Sequence, residues 1–325
     1  MNFSMEALRA ESAASGFRPD MLEKVAHLSH ILSVLFANEN LSDRLALKGG
    51  TALNLFYADL MRLSVDIDLN YIGSADAETM RTERPQLEQG IEAILAREGY
   101  STRRPPRHSF AGGKWSLRYR RASGGDGNIE IDVNYLLRVP LWEPQKLESS
   151  PVLRLRARNV PVADWHEVAA GKMVALLTRT APRDLYDAWW ILHRLPMEPA
   201  RLRLALTVYA AASPADLREA SGELAETDEV DVANLLIPVL RQGWQEGAAN
   251  PMDRVRQLRS ECVEKLKELL PFTAAERQFQ KDIFEGRGIH PELLTADKEL
   301  QGRIRQQPPL LWRLQQQSGN PGNQL

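Results

Sequence analysis

Asp66 and Asp68 stand one residue apart in the stretch "KGGTALNLFYADLMRLSVDIDLNY", residues 48–71. Alternate positions of a strand share a face and lie ~6.5–7 Å apart along it. The two carboxylates therefore point the same way, while Val65, Ile67 and Leu69 point into a core. Crowding like charges is costly unless something positive joins them. That partner is a lysine or arginine, a metal ion, or a metal-bound phosphate. A later strand repeats the pattern: Ile129, Ile131 and Val133 form the apolar face, and Glu130, Asp132 and Asn134 the polar one. If the two strands are neighbours, Asp132 converges on the pair. Three carboxylates are a usual way to hold one or two magnesium ions together with nucleotide phosphates.

Gly49-Gly50-Thr51 precedes the aspartates. A Gly-Gly turn into a helix presents backbone N–H groups to an anion, and Thr51 adds a hydroxyl. Alone, each of these motifs is weak: a strand-to-helix turn or a solvated strand face explains it. The order is more informative, because strand, Gly-Gly-Thr, helix, DxD strand and a distant aspartate strand are what a phosphate-and-metal site on a small sheet needs.

The elements that position these residues follow from periodicity. Residues 18–38 space Met21, Val25, Leu28, Leu32 and Leu35 as a helix; His27 and His30 lie on or beside that face and receive no role. "RLALK" (44–48) reads as a strand, "TALNLFYADLM" as a helix and "SVDIDLNYI" as a strand. Residues 79–98 read as a helix with Leu87, Ile91, Ile94 and Leu95 inward. "KWSLRYRR" and "NIEIDVNYLL" read as strands joined by "ASGGDGN", a hairpin signal. One more short strand is expected within 139–163. From Asp164 onward the pattern is helical: "WHEVAAGKMVALLTR", "PRDLYDAWWILHRL", then 199–212, 228–246, 251–270 and 273–285, before a polar tail expected to be disordered. Strands first and helices later predict an α+β fold: a small mixed sheet in residues 1–163 with an N-terminal helix, followed by a helical region, 164–325, that completes the active-site cleft.

The chain has 325 residues and a formal net charge of −2, which gives no general affinity for nucleic acid. The charge is uneven, however. Residues 97–121 carry Arg97, Arg103, Arg104, Arg107, Lys114, Arg118, Arg120 and Arg121 against Glu98 alone. That block can supply contacts to a nucleic-acid backbone, and a solvated hairpin explains it equally well. A single cysteine, Cys262, excludes an internal disulfide and reads as inert packing. There is no bilayer-spanning apolar run and no signal-peptide pattern, so the expected setting is the reducing cytoplasm, away from membrane.

The same motifs carry a resemblance. The order resembles the nucleotidyltransferase superfold shared with DNA polymerase beta. More narrowly, "LKGGTALNLFY", "RLSVDIDLNY", "IEIDVNYL", "GKMVALLTRTAPRDLYDAWWIL" and "GIHPELL...PPLLWRL", spread over residues 45–313, resemble the AbiEii/AbiGii toxin family of nucleotidyltransferases. The resemblance assigns Gly49, Gly50 and Thr51 to the nucleoside triphosphate, Asp66 and Asp68 to Mg2+ or Mn2+, and Asp132 to the third carboxylate. It places Lys172, Arg179, Arg183 and Asp187 on helical motifs that face the active site. Where many relatives have a basic residue two before the third carboxylate, this chain has Glu130.

From the residues alone, Lys172 and Arg179 share a helix face across a buried-looking "MVALL" and read as phosphate contacts. Arg183 and Asp187 admit an intrahelical ion pair. Asp184 reads as a favourable charge in a first helical turn. The implied reaction is metal-dependent transfer of a nucleoside monophosphate to an RNA, such as a tRNA 3′ end, by the toxin of a toxin–antitoxin pair with a winged-helix antitoxin. The alternatives are transfer to a protein or small molecule, kinase-like phosphoryl transfer, and a non-catalytic RNA- or protein-binding module.

Overall fold

A computed structural model describes residues 2–104, 112–179 and 181–317. Arg107 and the polar tail beyond 317 lie outside the described residues. The chain forms two compact units. One comprises Met1–Arg138, Glu143–Ala163 and Pro238–Trp244; the other comprises Val139–Trp142, Asp164–Ile237 and Gln245–Leu325.

The first unit is built on a seven-stranded mixed sheet: β1 (Leu45–Lys48), β2 (Asp66–Tyr71), β3 (Ser101–Arg104), β4 (Gly112–Arg120), β5 (Asp126–Asn134), β6 (Gln145–Leu147) and β7 (Val160–Val162). Its order is β3-β4-β5-β2-β1-β7-β6. β2 runs parallel to β5 and antiparallel to β1, and β4–β5 is the expected hairpin. Gly124 and Gly125 turn that hairpin at φ 87° and 75°, a region glycine enters without a Cβ penalty. Alternation divides the sheet into an apolar and a polar face. Ile67, Leu69, Trp115, Leu117, Ile129, Ile131 and Val133 are wholly buried on the apolar one. The Pro19–Phe36 helix packs against β5 and β7. His27 is a core residue of that helix: its Nδ1 lies 2.9 Å from the Tyr100 hydroxyl, and burial pushes its pKa down to about 4.

Several boundaries differ from those that periodicity suggests. The region 139–163 holds two strands rather than one, and β3 is an additional edge strand. The expected helix 228–246 breaks into Glu229–Asp231, a π-helical turn Val232–Leu236 and a 3-10 turn Ile237–Val239. Pro238 supplies no N–H and cannot continue a helix. Its successor Val239 joins a core cluster of the first unit with Phe17, Leu22, Leu55 and Leu63.

The second unit is helical, which gives the α+β class expected from the segregation of strands and helices. No helix among the described residues is long and apolar enough to cross a membrane. Cys262 is buried and its thiol is pushed up to about 12 by desolvation, so it is inert packing.

A buried carboxylate in this unit makes stability depend on pH. Glu167 accepts from the backbone N–H groups of Leu141 (3.0 Å) and Trp142 (3.2 Å) and from the Tyr209 hydroxyl (3.1 Å). Burial outweighs these bonds and raises its pKa from 4.5 to about 7. The folded state thus keeps a proton that the unfolded state releases. The stability this contributes is fully present below the unfolded value and is lost as pH rises through about 7. We expect Glu167→Gln to flatten the fall in unfolding midpoint between acidic and mildly alkaline buffer. Parallel wild-type and variant curves would show that folding does not shift the Glu167 carboxyl.

Candidate active site

The site of the first unit begins at the end of β1. Gly49 has φ 70°, and a Cβ built there would fall onto Asp68 Oδ2, with Asp68 Cβ and Cγ at 3.1 Å. Both the backbone conformation and the close approach of the carboxylate require glycine. The chain then enters a short helix, Gly49–Ala52, and a π-helical turn, Leu53–Tyr57. Such wide turns recur at functional sites. Asn54 is wholly buried, and its Nδ2 donates to the Gly50 carbonyl at 2.8 Å. Thr51 is also wholly buried; its hydroxyl donates to the Asp66 carbonyl and lies 3.0 Å from Ser64 Oγ, whose hydroxyl can donate to it. Thr51 therefore ties the glycine turn to the start of the carboxylate strand. We expect Gly49→Ala to cost about 1–2 kcal/mol through its left-handed backbone. It should also lower kcat/KM roughly 10²-fold by displacing Asp68. Wild-type kcat/KM in the folded variant would separate the turn from the chemistry.

Asp66 and Asp68 are half-buried on the polar face of β2. The parallel register sets Asp68 opposite Asp132 and Asp66 opposite Glu130. These four carboxylates thus share one face of two adjacent strands. Two lysines flank them. Lys48 stands opposite Asp68 on β1; burial lowers its pKa while Asp68 and Asp132 pull it back up. Lys114 stands opposite Asp132 on β4 and binds Glu130 at 2.8 Å. Its pKa is raised by that hydrogen bond first, then by the charges of Glu130, Asp132 and Asp66. The charge balance of the aspartate pair therefore comes partly from lysines on neighbouring strands. In the sequence, Lys48 is only the last residue of a strand and Lys114 only one of a basic run. Their alternation and the register of β1 and β4 are the signals that identify them.

Among the described residues, no group of three or more His, Cys, Asp or Glu side chains is arranged to hold a metal ion. The donors on the face are nevertheless hard oxygens. The Asn70 side-chain oxygen, next along the Asp66–Asp68 row, is buried without a hydrogen-bond partner among the described residues. Magnesium is commonly held by one or two carboxylates plus substrate phosphates. The donor set fits an ion shared with a bound triphosphate, not a closed protein cage.

The second unit carries Lys172 on the Trp165–Thr178 helix and Arg183 and Asp187 on the Pro182–Arg194 helix. Arg179 is not on the helix face expected to be shared with Lys172, because the helix ends at Thr178 and Arg179 is its extended C-cap. Lys172 Nζ lies 2.8 Å from Asp187 Oδ2 and 3.2 Å from Asp184 Oδ1, and Arg179 Nε lies 2.7 Å from Asp184 Oδ2. Asp184 is thus a bridging carboxylate, 2% exposed, and not merely a first-turn charge. Its pairing depends on the fold bringing Lys172 across to the next helix. Asp187 is wholly buried, while the Arg179 side chain is 65% exposed. Arg183 is half-buried.

This α+β fold, with its carboxylate row beside a glycine turn, has the arrangement that the nucleotidyltransferase resemblance implies. A family model described as nucleotidyl transferase AbiEii toxin, type IV toxin–antitoxin system, matches residues 30–289. The chain belongs to the AbiEii family of nucleotidyltransferase toxins. Among solved structures it is similar in fold to MenT4, a nucleotidyltransferase toxin from Mycobacterium tuberculosis H37Rv, with a TM-score of 0.58 and 16% identity. That match covers 93% of this chain and 98% of the other. A comparison with curated proteins finds no match.

Proposed function

We propose that the chain moves a nucleoside monophosphate from a nucleoside triphosphate to an RNA acceptor, with a tRNA 3′ end as its target. The observation that carries this reading is the in-register pairing of Asp68 with Asp132, with Asp66 on the same face and the Gly49 turn packed on Asp68.

Asp66 and Asp68 would hold Mg2+ or Mn2+, with Asp132 beside them. When bound, the ion supplies positive charge to the α-phosphate and to the departing pyrophosphate. The backbone N–H groups at Gly49 and Gly50 bind triphosphate oxygens, and Thr51 keeps that turn in place. Asp132 takes the proton of the attacking hydroxyl as it attacks phosphorus in line. Lys48 and Lys114 restrain the carboxylates and limit their mutual repulsion. Positioning and electrostatics account for the rate enhancement.

In the second unit, Lys172, Arg179 and Arg183 are assigned to triphosphate oxygens, with Asp187 orienting Lys172. Their family motif supports this assignment, and the exposure of the Arg179 side chain lets a ligand reach its guanidinium. The partner encoded with such a toxin is a winged-helix antitoxin, and the expected setting is the cytoplasm. The deciding assay incubates the protein with each labelled nucleoside triphosphate, a divalent metal and total cellular RNA. RNA gaining the mass of a nucleoside monophosphate supports the reading. A product gaining only phosphate, or label on protein alone, overturns it.

A further inference from the structure

The polar face does not end at the carboxylates. The antiparallel register of β4 and β5 places Lys114 opposite Asp132, Ser116 opposite Glu130, Arg118 opposite Asn128 and Arg120 opposite Asp126. Trp115, Leu117 and Tyr119, the alternate residues, are buried on the other face. Their burial fixes the outward direction of the cations: a one-residue slip would expose the tryptophan. From the long basic block, β4 thus aligns Lys114, Arg118 and Arg120 with the carboxylate face, while Arg103 and Arg104 belong to the neighbouring edge strand β3. Arg97 instead belongs to the Ala77–Arg97 helix.

We propose that this β4 ladder is the track on which the end of a single-stranded RNA acceptor lies, with its terminal hydroxyl at the Lys114 end and its preceding phosphates toward Arg120. The proposal rests on the RNA-acceptor reading above and adds the path and polarity of the acceptor.

Four features support it. Lys114, Arg118 and Arg120 have side chains 56%, 56% and 73% exposed, so a partner can reach all three. Arg118 and Arg120 share one carboxylate, Asp126, at 3.5 and 3.6 Å. Both distances are long, and two arginines on one aspartate leave a net positive charge for phosphate. The Ser116 hydroxyl lies between the cations on the same face and can donate to a phosphate oxygen. Lys114 to Arg120 spans roughly 20 Å of strand, a few nucleotides of extended backbone. The outward face at these positions is cationic and hydroxylic, with its aromatic residues turned inward. Such a surface follows a phosphate backbone without reading bases, which favours RNA over a folded protein acceptor.

The test measures the affinity of the full chain for a fluorescent single-stranded RNA oligonucleotide over a series of salt concentrations. Transfer of labelled nucleotide to RNA is followed in parallel. Arg118→Gln with Arg120→Gln should make the log-affinity versus log-salt slope shallower by roughly 1.4, about 0.7 for each single-strand phosphate that is no longer neutralised. Asp126→Asn releases both arginines and should tighten RNA binding. A pair changed in the second unit, Arg277→Gln with Lys281→Gln, should leave the slope at the wild-type value. Nucleoside triphosphate affinity should be the same in all three variants. Equal slopes for wild type and the β4 double variant, or an equal decrease in the second-unit pair, overturn the ladder even if RNA is labelled. If wild type labels no RNA, the acceptor reading falls and takes the ladder with it.

Discussion

Asp66→Ala and Asp68→Ala should each lower nucleotidyl transfer by roughly 10³-fold or more while the protein remains folded. Loss of either carboxylate removes half of the pair assigned to the shared ion, and no other side chain occupies its place on the β2 face. The fold should survive because the buried side of β2 is untouched: Ile67 and Leu69 remain in the core. Relief of like-charge crowding should also raise the unfolding midpoint slightly in metal-free buffer. The lysines temper that gain. Asp68→Ala takes from Lys48 its cross-strand partner, whereas Asp66→Ala leaves the Lys48–Asp68 pairing in place. The larger midpoint increase is therefore expected for Asp66→Ala. Transfer rates and unfolding midpoints, measured with and without Mg2+, check both halves. Substantial transfer by either single variant would end the assignment of the pair. Unfolding of both would make their role structural.

How far the site is legible in the sequence depends on the range of the interactions that make it. Asp66 and Asp68 share a face because strand period is two, and no tertiary knowledge is needed to see it. The β4–β5 hairpin is equally local, because Gly124 and Gly125 dictate the turn. Asp132 needs one long-range fact, that β2 and β5 are neighbours, and the register then brings it opposite Asp68. Lys48 and Lys114 need two registers that sequence leaves free, so their link to the carboxylates emerges only in the folded sheet. Thr51 illustrates a different limit. Its hydroxyl suits a phosphate as well as a carbonyl, and only burial shows that it serves the Asp66 backbone. The position of Asp184 in its helix accounts for a first-turn charge, whereas its partner Lys172 is twelve residues away on another helix. Pro238 is by itself a signal that the expected helix 228–246 must break, but apolar periodicity on both sides conceals it.

Lys172→Met should give the largest loss of stability in the second unit, about 3–5 kcal/mol, because it strands buried negative charge. Asp184 and Asp187 have side chains only 3% and 0% exposed, and both face the Lys172 ammonium. Arg179 still neutralises Asp184 in this variant, so Asp187 bears most of the cost. Lys172→Met with Asp187→Leu should recover much of the loss, since an apolar pair can replace a buried ion pair with little penalty. This measurement also separates structure from substrate contact. Arg179 is largely exposed, so Arg179→Gln should change stability by no more than about 1 kcal/mol. If its guanidinium meets the triphosphate, nucleotide affinity should nevertheless fall about tenfold or more, by roughly the 1.5–3 kcal/mol of a charged hydrogen bond. Arg179→Lys should not fully restore affinity, because a fork of donors is replaced by a point charge. Unfolding midpoints and nucleoside triphosphate affinities of the four variants decide the matter. Unchanged affinity in stable Arg179→Gln, together with full recovery of both stability and affinity in the Lys172/Asp187 double variant, would confine this ion-pair chain to holding two helices together.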